Sequence, residues 1–148
     1  MSKYGLDEEL EVEGKEDGIA SFEEEKKKRR MFHFWEVGGV QYKLKLNTSM
    51  INALENKYKT NLMNIVASDE LPSLSIMLTI IQGAMSPWNH KVDFKTVQKM
   101  YDQWTENGGN QIELYSKVLM PTLAVSGFFT ESQAKTIMES LEEMDLLM

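Results

Sequence analysis

The dipeptide Gly38-Gly39, set in the stretch "MFHFWEVGGVQYKLKLN", constrains this chain more than any other feature. A two-residue turn that reverses a β-ribbon needs positive φ at both positions, and glycine adopts that conformation without steric cost. A loop of two residues also fixes the register. Val37 must face Val40, Glu36 face Gln41, Trp35 face Tyr42, Phe34 face Lys43 and His33 face Leu44. Alternation then sorts the side chains onto two faces. Met31, Trp35, Val37, Val40, Tyr42, Leu44 and Leu46 share one face, which is expected to pack on the rest of the protein. Glu36, Gln41, Lys43 and Lys45 share the other with two aromatics, Phe32 and Phe34. An isolated hairpin is marginal in water, so this ribbon must rest on another layer or pair with another strand.

Beyond the hairpin the apolar period becomes helical. Asn47 or Thr48 caps a helix running to about Tyr58, with Ile51, Leu54 and Tyr58 on one stripe. "TNLMNIVAS" adds a short turn. "LPSLSIMLTIIQGAM" is apolar all round, the signature of a helix buried on most sides. It is too short to cross a bilayer. Asp93 caps a helix carrying Phe94, Val97, Met100, Tyr101 and Trp104, which Gly108-Gly109 ends. Asn110, with Glu113 as capping-box partner, starts a helix bearing Leu114, Val118, Leu119 and Val125; Pro121 inside it predicts a kink. Gly127 stops that helix. Thr130 with Gln133 opens a last one carrying Ala134, Ile137, Met138, Leu141 and Met144. Its final ten residues hold four acids and no base, which opposes the helix dipole and predicts fraying. The expected fold is therefore mostly α: an N-terminal β-hairpin packed on a small bundle of about five helices.

Residues 1–30 differ in kind. They hold seven basic and ten acidic residues and few large apolar ones, so burial cannot offset the entropy of ordering them. They read as a charged mobile arm, with a helical turn near residues 20–30. The expected divisions are 1–30 as the arm, 31–129 as hairpin plus helical core, and 130–148 as a C-terminal amphipathic helix. The run Lys26–Arg30 follows three glutamates placed four residues ahead of Lys27, Lys28 and Arg29, an arrangement that suits a solvated helix. The net charge of −7 works against nucleic-acid binding unless basic residues gather on one face. The chain has no cysteine, no apolar run of about 18 residues and no signal-peptide core at "MSKYGLDEELEVEG", so it is expected in the cytoplasm where it is made.

Nothing in the sequence resembles an active site. No HxxxH, HxH or ExxH spacing occurs at His33 or His90, and no phosphate-binding or nucleophile motif occurs. The carboxylates fall in the arm, at helix starts and on the last helix, where solubility and capping account for them. No catalytic residue, metal or cofactor is expected. The candidates are binding residues: Phe32 and Phe34 on the outer hairpin face, and Phe128 and Phe129 in "SGFFTESQ". Met138, Met144, Leu146 and Leu147 in the acidic last helix complete the set. Adjacent residues in an extended connector point opposite ways, so one of Phe128 and Phe129 should anchor the last helix and the other be free. Eleven methionines also suit either a loosely specified core or a surface that repacks around partners.

The order "WEVGGVQYKLKLNTSMINALENKY", "LPSLSIMLTIIQGAM", "DFKTVQKMYDQWTENGG", "IELYSKVLMPTLAVSGFF" resembles the tail assembly chaperones of long-tailed bacteriophages of Gram-positive hosts. The similarity spans about residues 34–129. It rests on element order and on phrases such as "YKLKL", "ELPSL", "ENGG" and "VSGFF" rather than on a catalytic signature. It implies a protein that binds the long apolar tape measure protein, keeps it soluble and recruits tail tube subunits. It further implies work in the host cytoplasm during assembly and absence from the mature virion. The family has no catalytic residues to carry over. Two other readings compete: a small helical structural protein retained in the virion, and a nucleic-acid-binding regulator using Lys26–Arg30. Phe32 and Phe34 on the outer face of an edge hairpin further predict either self-association or cover by the arm.

Overall fold

The computed structural model describes residues 31–147, with side-chain surroundings through residue 143. The arm expected over residues 1–30 and its basic run lie outside the described residues. Two strands, β1 (His33–Val37) and β2 (Val40–Leu44), form an antiparallel hairpin in the register that the glycine pair dictates. Gly38 and Gly39 have φ of 60° and 82°. Helices α1 (Thr48–Tyr58), α2 (Leu62–Val66), α3 (Leu74–Met85) and α4 (Phe94–Glu106) follow. Next comes α5, a continuous helix built of three pieces, Gln111–Glu113, Leu114–Leu119 and Met120–Val125. The last helix is α6 (Glu131–Leu147). Among the described residues six helices accompany the hairpin, one more than the sequence predicts there, because "NLMNIV" closes its own capped helix at Asn61.

Side-chain caps set most of these boundaries. Asn47, Asn61, Ser73, Asp93 and Asn110 each accept a hydrogen bond from the backbone N–H three residues on. Thr130 and Gln133 form a reciprocal box, the Thr130 N–H donating to Oε1 of Gln133 at 3.0 Å and the Gln133 N–H to Oγ1 of Thr130 at 3.1 Å. At Asn110 the box is half made. The Glu113 carboxylate lies 3.2 Å from the Lys117 ammonium, one turn further along. Helix α6 runs to Leu147, so the helical span includes its acidic end.

The core forms around α3. Its Met77, Ile80, Ile81 and Ala84 are fully buried, and it packs against α1, α4, β2 and the middle of α5. Trp35, Leu44, Leu46, Leu62, Val66, Leu114, Leu119 and Leu123 complete this cluster. Trp35 meets Trp104 of α4 nearly edge-on, with centroids 5.8 Å apart. Only β1 follows the predicted alternation throughout, with His33, Trp35 and Val37 buried and Phe34 and Glu36 exposed. In β2 the expectation fails at Val40, which is 50% exposed, and Tyr42 is only half buried. The helical body lies under β1 and the end of β2, not under the start of β2.

Around Pro121 the helix is continuous. The proline ring removes one N–H and crowds the carbonyl four residues back, that of Lys117. The helix responds by widening into π geometry over Leu114–Leu119 immediately before it. Side chains take up the displaced carbonyls. His33 Nε2 lies 2.8 Å from the Lys117 oxygen and must donate, since a carbonyl can only accept. Thr122 Oγ1 donates to the Val118 oxygen at 2.6 Å. Strand β1 is thereby tied to α5 through the irregularity that proline creates.

Candidate functional site

The predicted binding residues do not converge on one place. Phe34 is where alternation puts it, on the outer hairpin face and 45% exposed. Phe32 is on the same face but not open. It meets Trp88 edge-on at 5.1 Å, and the ammonium groups of Lys43 and Lys45 sit 4.9 and 5.9 Å from its ring centroid. Such contacts are worth about 0.5–1 kcal/mol each at exposed sites. Trp88, 41% exposed, is not among the sequence candidates. It belongs to the turn after α3, and no periodicity reaches from that turn to the hairpin.

"SGFF" departs from expectation. Gly127, at φ 88°, turns the chain so that the Phe128 N–H donates to the Leu123 oxygen at 3.3 Å, a helix-ending motif that folds the following residue back on the helix. Phe128 then packs on the main core. Phe129 packs both there and on a second cluster of Ala124, Met138 and Leu141. Both rings are half buried and packed on the core, so the expected split into one anchored ring and one unoccupied ring is corrected to two partly packed rings. Met138 is corrected likewise. It is 9% exposed and fastens α6 to α5. Met144, Leu146 and Leu147 fall within α6, but their side chains, like Lys26–Arg30, lie outside the described residues.

His33 is buried and bonded to Lys117, whereas His90 is exposed in the turn before α4. Among the described residues no three His, Asp or Glu side chains come together as metal ligands. An open cleft of about 330 Å³ runs between α3 and α4, lined by Leu74, Leu78, Lys95, Gln98, Lys99, Tyr101 and Asp102. Burial, and secondarily the Asp102 charge, pushes the Tyr101 phenol above its usual range. The Asp93 carboxyl is held below the ordinary carboxylate range, chiefly by its hydrogen bonds to Thr96 at the start of α4.

No family model, curated protein or solved structure matches the chain. No helix among the described residues is long and apolar enough to cross a membrane. The surface best suited to binding is set by the geometry of the hairpin. It comprises the outer hairpin face with Phe34, Phe32, Lys43 and Lys45, together with Trp88 beside it and the exposed start of β2 at Val40.

Proposed function

We propose that this protein is a tail assembly chaperone of the long-tailed phage type. It binds tape measure protein, keeps it soluble and recruits tail tube subunits, acting in the host cytoplasm and staying out of the finished particle. The observation that carries the reading is the ordered resemblance over residues 34–129. Its phrases fall at element boundaries: "YKLKL" spans the end of β2 and its exit, "ELPSL" runs through the Ser73 cap to the first residue of α3, "ENGG" closes α4 and "VSGFF" closes α5. Exposed aromatics on a well-packed scaffold support a binding role, since chaperoning of this kind needs adaptable apolar surface and no bond chemistry. A net charge of −7 helps keep an apolar client dispersed.

Co-expression tests the proposal. Tape measure fragments should stay in the soluble fraction with this protein and precipitate without it; equal precipitation in both cases overturns the reading. Mass spectrometry of purified particles should find the protein absent, whereas stoichiometric recovery would place it in the virion as a structural subunit.

A further inference from the structure

We infer that the outer edge of β2 is a docking site for an extended partner segment in which acidic and apolar residues alternate. This deepens the binding reading and rests on it, naming the chemistry of a partner and the strand that receives it.

The argument begins with the backbone. In a hairpin with a two-residue turn, Val37 and Val40, Trp35 and Tyr42, and His33 and Leu44 exchange the ladder hydrogen bonds. Gln41 and Lys43 therefore turn their N–H and C=O groups away from β1. Lys45, next in that outward row, donates its N–H to the Ala84 oxygen of α3 at 3.0 Å, which confirms the direction. Among the described residues no backbone partner meets Gln41 or Lys43. Among the described residues the sheet has only two strands, so none of them covers this edge. An open edge of this kind is what strand addition uses: main-chain bonds give affinity, and alternate side chains give specificity.

The side chains beside the edge state what the partner must be. A strand added here lies about 4.8 Å from β2, and its side chains alternate in step with those of β2. On the inner face its neighbours are Val40, half exposed, and Tyr42, half buried. Apolar partner residues would cover both. On the outer face its neighbours are Lys43 and, diagonally, Lys45. These ammonium groups rest over Phe32, and among the described residues neither has a carboxylate partner. Acidic residues at alternate positions would supply the missing anions. Glu36, across β1 from Gln41, disfavours acid near the turn and so places the acidic positions toward Lys43. A nucleic-acid strand is a poorer fit, because two lysines beside a glutamate on a chain of charge −7 make a weak phosphate track.

Fluorescence anisotropy on the full chain tests this, with a labelled nine-residue peptide alternating Val and Glu, its Val/Lys counterpart and a single-stranded oligonucleotide as probes. The Val/Glu peptide should bind at least roughly tenfold more tightly than the Val/Lys peptide, the size expected when two cross-strand charge pairs are reversed. Its binding should slow amide exchange at Gln41 and Lys43. Lys43→Glu should invert the peptide preference without altering the circular dichroism spectrum. Gln41→Pro, which removes an outward N–H and no ladder bond, should abolish binding. Equal binding of both peptides, unchanged exchange at Gln41 and Lys43, tighter binding of the oligonucleotide, or a dimer in light scattering that excludes the peptide would each overturn the inference. Because the tape measure co-expression assay uses none of these probes, the two proposals can fail separately.

Discussion

The imidazole of His33 illustrates how one side chain can hold two elements together. It fills the place of the N–H that Pro121 lacks, joining a strand to a carbonyl 84 residues away. Replacing it by leucine keeps the bulk but leaves the Lys117 carbonyl buried without that donor. His33→Leu should therefore cost about 1–3 kcal/mol in urea unfolding. Asp93 acts at the same scale through charge. Its folded-state pKa lies below the ordinary value, so its contribution is fully present above the unfolded pKa and is lost as pH falls through the folded one. Asp93→Ala should lower the unfolding midpoint at neutral pH. The gap to the parent protein should close as the medium is acidified, which a pH series of thermal melts would read.

Among the elements, α6 stands apart. It is fastened to the end of α5 by Ala134, Ile137, Met138 and Leu141, with Phe129 shared between that small cluster and the main core. Phe129→Ala should therefore loosen α6 alone. Native-state hydrogen exchange should show its amides losing protection while those of α3 keep theirs. Equal loss in both helices would mean that α6 is part of the cooperative core. The elements also differ in how far their local sequence determines them. The hairpin and its register are legible because Gly38-Gly39 permits few turns, and the helix starts are legible because each cap is a local event within four residues. Alternation misplaces Val40 because it assigns a face but not how far the neighbouring layer extends beneath it. The widened segment of α5 is unreadable from sequence because Pro121 states that a hydrogen bond is missing, not which distant side chain replaces it. Phe128 and Phe129 mislead for a related reason: the turn at Gly127 folds back what an extended connector would splay. Trp88 carries no local signal of its role, since only the assembled fold brings it to Phe32.

At the scale of the whole folded unit, α3 is the common support of α1, α4, β2 and the middle of α5. Ile80, fully buried at its centre, is a fair test of that role. Ile80→Ala should cost about 2–5 kcal/mol. Tryptophan fluorescence, which reports on Trp35 and Trp104 near the hairpin, should shift its midpoint together with far-ultraviolet circular dichroism. Separate midpoints would mean that the hairpin and the helices unfold independently. Such cooperativity fits a scaffold that presents a surface at one rim while staying rigid behind it.

Ser126 closes the unit. Its hydroxyl accepts from the Leu46 N–H at 2.9 Å and donates to the Thr122 oxygen at 2.6 Å, pinning the exit of the hairpin to the end of α5. The two partners in the first of these bonds are 80 positions apart. A ribosome adding roughly 5–20 residues per second thus exposes Trp35, Leu44 and Leu46 for several seconds before the surface they rest on has been made. Among the described elements the hairpin is the first synthesised, and its docking is not complete until Ser126 emerges.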